Sequence, residues 1–267
     1  IEDDPALMFS NPALASSVSD NTVGLNYMNY MHGANYMGAS YTKALGEKAT
    51  IAGGILYMNY GKMKEVDANN VQTGTFNASE IAVEGIFSYE LARNLVGGIT
   101  AKFITSYIGS YNSMAVGVDL GLNWYEPERQ WSVSLVAKNL GGQIKAYEEE
   151  YGKMPIDVQV GVSKTFAALP VRVSATLVDL THYDYRFINH LNLGAEVLLS
   201  ESIWVGGGYN FRKADEMTIG KDENASAHGA GFSVGAGINL EQFKLNLAYG
   251  KYHAASNSIL VNLAYSF

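Results

Sequence analysis

The chain has 267 residues, among them 28 Gly, 18 Tyr, 5 Pro and no Cys, with a formal net charge of −8. Its mean hydropathy is near zero and no apolar stretch reaches the ~20 residues of a membrane-spanning helix. That excludes a helical membrane protein yet not a barrel, whose strands give only half their residues to lipid. The acidic balance argues against nucleic acid as a partner, and a chain without Cys suits export through an oxidising periplasm.

Residues 1–20, IEDDPALMFSNPALASSVSD, come first, with two prolines, the adjacent acids Asp3 and Asp4, and no sustained alternation. They read as a plug segment ahead of a barrel over 21–267. A barrel chain needs a secretory signal to leave the cytoplasm and none is visible here. Ile1 is therefore expected to be a mature or trimmed start with further sequence before it.

From there strand follows strand, with no convincing helix: 22–30, 36–43, 50–60, 81–91, 95–107, 115–125, 131–139, 156–165, 171–179, 191–199, 203–211, 231–240, 243–252 and 259–267. Each of the fourteen has about the length that a tilted transmembrane strand needs. Outward faces are expected at Ile81/Val83/Phe87/Tyr89, Val118/Leu120/Leu122/Trp124, Trp131/Val133/Leu135, Ile156/Val158/Val160/Val162, Leu191/Leu193/Ala195/Val197 and Phe232/Val234/Ala236/Ile238/Leu240, all with period two. The last strand carries Ile259, Val261, Leu263, Tyr265 and Phe267 on one side, and its aromatic end at Tyr265 and Phe267 reads as a membrane-insertion signal. The expected fold is all-β, a closed antiparallel 14-stranded transmembrane β-barrel with a short N-terminal hatch.

Even-numbered links are short, at 45–48, 92–94, 127–129, 167–170, 200–202 and 241–242, whereas the odd-numbered ones include 61–80, 140–155, 180–190 and 212–230. Short periplasmic turns and long surface loops produce this asymmetry in a membrane barrel, and a soluble sandwich has no reason to sort its links by parity. The inward positions present Glu84, Glu90, Asp119, Asp157 and Glu196 with Lys102, Lys138, Arg172, Arg212 and Lys244. Balanced signs do not make a selective ion pore. They are expected to pair across the lumen, with Gly206/Gly208 and Gly231/Gly235/Gly237 leaving room for the plug.

Catalytic and metal patterns are weak. Gly231 to Gly235 fits G-x-S-x-G, but that motif needs a strand, a sharp turn and a helix to expose its serine, and alternation here continues to Leu240. His32, His182, His190, His228 and His253 have no metal-motif spacing and fall on odd-numbered links. No cofactor or metal is expected, and no enzymatic activity. The long links carry the candidate contact residues: Tyr147, Glu148, Glu149, Glu150 and Tyr151 in one, and Arg212, Lys213, Asp215 and Glu216 in another. Aromatics among charges are typical of contact patches, and the bland alternative is a hydrated loop above the lipopolysaccharide.

The hatch elements Asp3-Asp4 and Asn11-Pro12-Ala13, placed directly ahead of a fourteen-stranded barrel, are similar to the N-terminal hatch of FadL-type outer-membrane proteins. Downstream, IGSYNSMAVGVDLGLNWYEPE from Ile108, SLVAKNLG from Ser134, VGVSKTFAALPVRVSATLVDL from Val160, VGGGYNFRKADEM from Val205, GAGFSVGAGI from Gly229 and YGKYHAASNS from Tyr249 resemble the PorQ-type barrels of the Bacteroidota type IX secretion system, which are related to PorV. The resemblance implies an accessory barrel of a cell-surface attachment complex, with the surface protein PorZ as direct partner and PorU and PorV as co-members. Outer-membrane lipid and lipopolysaccharide would surround it. The competing reading is a FadL-like passive channel for hydrophobic small molecules, and the remotest is an outer-membrane hydrolase. Docking predicts a lumen closed by 1–20 and an unbroken wall; transport predicts a greasy pocket beneath a kinked hatch.

Overall fold

The computed structural model describes residues 3–30, 33–166, 168–218, 229–253 and 256–267. Its strands are β1 (Thr22–Asn29), β2 (Asn35–Leu45), β3 (Ala49–Val66), β4 (Gln72–Ala92), β5 (Leu95–Ile108), β6 (Tyr111–Glu126) and β7 (Trp131–Lys145), then β8 (Asp157–Phe166), β9 (Val171–Leu177), β10 (Leu191–Leu198), β11 (Ile203–Asn210), β12 (Phe232–Asn239), β13 (Phe243–His253) and β14 (Ser256–Ser266). The fourteen strands form one closed antiparallel barrel in sequence order, sealed where β1 pairs β14 from Thr22↔Ser266 to Asn29↔Ile259. Closure leaves the wall without a sheet edge, which is what a hydrocarbon environment demands of a spanning sheet.

Apolar and polar residues are distributed inside out. Leu120, Leu122 and Trp124 are exposed on β6 while the alternate Asp119, Gly121 and Asn123 are buried, and Val83, Phe87 and Tyr89 stand outside β4 opposite Glu84, Ile86 and Ser88. The same parity holds on β7, β10 and β12, where Trp131, Val133, Leu135, Leu193, Val197, Phe232, Val234 and Ile238 face outward. A continuous belt of exposed large apolar side chains around a polar interior is a lipid-facing wall. Among the described residues no helix is long and apolar enough to cross a membrane.

The links at one end are all short, as at Arg93 and Asn94 between β4 and β5, where Asn94 takes a positive φ of 66° beside a register shift at Glu90/Ala92, the left-handed residue that ends a bulged hairpin turn. The other end carries the long connections. Two expectations change there. The stretch 61–80 is not a long loop: β3 and β4 stay paired through two register shifts, from Lys62↔Asn77 to Val66↔Gln72, leaving only 67–71 as a tip. Beyond the bilayer both faces of a strand meet water, so the pairing continues without apolar alternation to mark it. The stretch expected to run from strand into loop at Phe211 is a six-residue helix, α1 (Phe211–Glu216), which starts where the Asn210 side chain accepts the Lys213 N–H at 2.8 Å. His253 lies within β13 rather than on a link, and His32 and His228 fall outside the described residues.

Candidate functional site

The N-terminal segment forms two short 3-10 helices, Pro5–Phe9 and Pro12–Ser17. Each begins the same way. The Asp4 carboxylate accepts the Ala6 N–H at 2.8 Å and the Asn11 side-chain oxygen accepts the Ala13 N–H at 3.0 Å, with proline at the first helical position in both. The unit is therefore repeated, Asp4-Pro5-Ala6-Leu7 and Asn11-Pro12-Ala13-Leu14, a signal that reading Asn-Pro-Ala alone misses.

Both turns sit against inward-facing positions of the wall. Met8 and Ala15 are fully buried and pack with Ile86 of β4, Phe9 and Ala52. This apolar cluster lies between the segment and the barrel's inner surface, not within the wall. Glycines make the seat. A β-carbon on Gly98 of β5 would overlap the Pro12 carbonyl and the Ala13 nitrogen, one on Gly121 of β6 would overlap the Asn11 side chain and Pro12, one on Gly54 would strike the Phe9 ring, and one on Gly24 would strike Pro5. Gly98 and Gly121 are register partners, so two adjacent strands offer one flat patch to the Asn11-Pro12-Ala13 backbone. The glycines expected to make room do something else. Gly235 and Gly237 lie against the Trp204 indole, Gly206 against the Glu196 side chain, and Gly231 beside Ala214 of α1.

The interior charges pair along the wall and onto the segment rather than across the lumen. Lys102 of β5 meets Asp119 of β6 at 2.6 Å, both almost wholly buried, and Asp119 also accepts the Asn139 N–H at 2.8 Å. Arg172 donates through Nε to Glu196 at 2.6 Å, directly opposite it across β9 and β10. Lys244 is ion-paired with Asp3, which also accepts the Ser19 N–H at 2.8 Å, while Lys138 donates to the Phe9 carbonyl at 3.1 Å and Asn246 to the Asp4 carboxylate at 3.0 Å. A luminal hollow of about 330 Å³ remains between Leu7, Asn11 and Leu14 and the inner faces of β6 to β10, and its walls mix apolar surface with polar side chains such as Ser134, Gln159, Arg172 and Glu196.

At the long-loop end Tyr147 is half-buried and Glu148, Glu149, Glu150 and Tyr151 are exposed, with a hollow of about 540 Å³ between the three glutamates and the tip residues Ile108 and Tyr111. The α1 charges are engaged locally. Arg212, expected to face the lumen, is ion-paired with Asp179, lies 3.5 Å from Glu216 and stacks 5.5 Å from the Tyr185 ring; Lys213 also meets Glu216, at 3.3 Å. Asp215 accepts from Asn189 at 2.9 Å and faces Arg186 at 3.7 Å, so α1 is tied to the 178–190 link. Of the histidines in that link, His182 stacks on Tyr185 and His190 is buried against the Val178 carbonyl at 2.8 Å. Ser233 sits within β12, which continues to Asn239 with no helix after it. Among the described residues no group of three or more His, Cys, Asp or Glu is placed to hold a metal. Tyr265 and Phe267 stand edge to face at 5.1 Å on the outer surface.

A closed, lipid-faced fourteen-stranded wall with a polar interior defines an outer-membrane β-barrel. Residues 6–260 match the family described as type IX secretion system membrane protein PorP/SprF, and the chain belongs to that family. Solved structures with the same fold include a FadL homologue from Pseudomonas aeruginosa, at a TM-score of 0.61 and 10% identity over 100% of this chain and 95% of that one. The CymD monoaromatic hydrocarbon channel aligns at 0.60 and 12% over 98% and 92%, and the toluene transporter TodX of Pseudomonas putida at 0.56 and 12% over 97% and 92%. No curated protein sequence matches the chain.

Proposed function

We propose that the protein is a non-enzymatic docking barrel of the type IX secretion apparatus, which holds a surface protein through its long-loop end while its short turns face the periplasm. One observation carries this reading. The interior is occupied by 3–19, seated on wall glycines and held by Lys244 and Lys138, whereas the long-loop end presents an exposed acidic and aromatic patch at 147–151. The resemblance to PorQ-type barrels points to PorZ as the direct partner, with PorU and PorV as further members of the attachment complex.

The FadL-like neighbours favour a second reading, a passive channel for hydrophobic molecules, but two features of this chain weigh against it. The hollow beside the segment is not an unbroken greasy lining, since Arg172, Glu196, Gln159 and several hydroxyl side chains open onto it among its apolar walls. The apolar groove of about 680 Å³ on the outer wall, floored by Ala175, Ala195 and Gly207, crosses ladders that are unbroken from β8 to β12.

The test is capture of the partner from detergent-solubilised outer membranes. Replacing 146–156 by a tight turn is expected to leave the barrel intact, because that link supplies no strand pairing to the wall, and to release the partner. Replacing Glu148, Glu149 and Glu150 with Ser is expected to weaken capture, with the remaining binding less sensitive to salt. Undiminished capture by the shortened barrel would refute docking at this end.

A further inference from the structure

The long-loop end also carries open strand edge. β2 stops pairing β3 at Asn35↔Asn59 and β5 stops pairing β4 at Ala78↔Ile108, yet β3 and β4 run on together to Val66 and Gln72. The hairpin beyond those points therefore has two free edges, with backbone groups that the closed wall below it does not leave open.

Its two edges differ in kind. The Gly109 N–H donates to the Asn77 carbonyl at 2.9 Å, which places the backbone groups of Asn77 on the β5 side of β4. Alternation places those of Thr75 there too, and those of their partners Lys62 and Lys64 on the far edge of β3. The β3 edge thus carries exposed lysines, the usual guard against strand addition, while the β4 edge carries exposed Thr75, uncharged and unguarded, next to Asn77, whose carbonyl the Gly109 N–H already takes. The β4 edge overhangs the short tip at Gly109 and Ser110, and on the other side of that tip lies the hollow bounded by Ile108, Tyr111 and Glu148 to Glu150.

We propose that this edge receives an extended, lysine- or arginine-bearing segment of the partner, which adds as a strand to β4 and sets its basic side chains against Glu148, Glu149 and Glu150. Backbone pairing supplies affinity without regard to sequence, and three exposed carboxylates across the Gly109–Ser110 tip from the edge supply the preference for positive charge. A second copy of this chain is a poorer occupant, since pairing through the same edge would bring two acidic loops together. The inference rests on the docking reading and names the contact within it.

The test uses the purified full chain in detergent and a synthetic peptide of about six residues alternating Lys with Val or Thr, followed by fluorescence anisotropy. An acidic counterpart with Glu for Lys is the control. Thr75→Pro removes an N–H from the free edge, leaves the β3 ladder in place, and is expected to weaken the basic peptide by about tenfold or more, one lost backbone bond plus a steric bar to pairing. Lys64→Pro makes the equivalent change on the β3 edge and is expected to change binding less than about twofold, within the range of an ordinary surface substitution. Replacing Glu148 to Glu150 with Ser is expected to remove the preference for the basic over the acidic peptide. Equal binding of both peptides to the unaltered chain, Thr75→Pro binding as the parent does, or a dimer that dissociates on Thr75→Pro would each overturn the proposal. The docking reading fails separately, in the capture assay with the shortened 146–156 link, so failure of the edge contact alone is told apart from failure of docking.

Discussion

Gly98→Val tests how the N-terminal segment is held. The new side chain would occupy the place of the Pro12 carbonyl and the Ala13 nitrogen, and the segment has little room to yield there. Asn11 is fixed on one side by its Nδ2 donating to the Leu122 carbonyl at 3.2 Å and on the other by its bond to Ala13, while Pro12 already lies against Gly121. Overpacking a well-filled contact costs about 1–3 kcal/mol, which lowers the ratio of seated to released segment by about five- to 150-fold. Cleavage of an opened segment by protease follows its released population when opening is fast, so cleavage within 3–19 is expected to accelerate by that factor. Planar-bilayer conductance is expected to rise in step. Gly85→Val is the matched control, because Gly85 lies outward on β4 with nothing near its β-carbon position, and it is expected to change neither readout. In a chain lacking 1–20 conductance is expected to be high already, and Gly98→Val to add nothing. A Gly98→Val barrel, correctly folded, with the cleavage rate and conductance of the parent would refute the seat.

Two further expectations concern the wall. A ladder closed from β1 to β14 has no edge from which to fray, so the protein is expected to remain folded in mild SDS and to shift its migration only after boiling; equal migration of boiled and unboiled folded samples would count against closure. Asp119→Ala leaves Lys102 buried without its 2.6 Å partner, which is expected to destabilise the barrel by about 3–5 kcal/mol, read as a lower urea midpoint for loss of the heat-shifted band. Adding Lys102→Met to that variant is expected to recover part of the loss, and a midpoint unchanged by Asp119→Ala would show that the pair carries no weight.

The wall was legible because lipid imposes a one-dimensional rule on it. Val118, Leu120, Leu122 and Trp124 must alternate with residues that avoid lipid, and that alternation survives in the letters whatever the neighbours are. Where the rule lapses, so does the signal. Lys62 to Val66 and Gln72 to Asn77 are as strand-like in structure as the wall, but water on both faces leaves no period to read. Six residues are too few for a helical period, so α1 was marked only by Asn210 three positions ahead of the Lys213 N–H it caps. The interior charges were legible in sign and side, yet not in partner. Lys102 finds Asp119 through the β5–β6 register, in which Lys102 stands opposite Gly117 and Asp119 opposite Thr100, a diagonal that sequence alone does not specify.

The seat of the N-terminal segment was the least legible, and for a different reason. Gly98, Gly121, Gly206 and Gly237 are the same letter on the same side of the wall, and only the path of another part of the chain decides which of them is covered. That path follows from the repeated cap-proline unit. Asp4-Pro5 sets the first 3-10 turn against Gly24 of β1, and seven residues later Asn11-Pro12 sets the second against Gly98 and Gly121 of β5 and β6. Three strands of the closed barrel, β2 to β4, lie between that first contact on β1 and β5. One short segment therefore lies along one continuous arc of the inner wall from β1 to β6, with Met8 and Phe9 packed between the two end contacts against Ile86 and Ala52. A segment seated on glycine at both ends of that arc has its position along the wall set by shape alone. For this reason the ion pair at Asp3 and the Lys138 bond to Phe9 are better understood as fixing its depth than as supplying its whole hold.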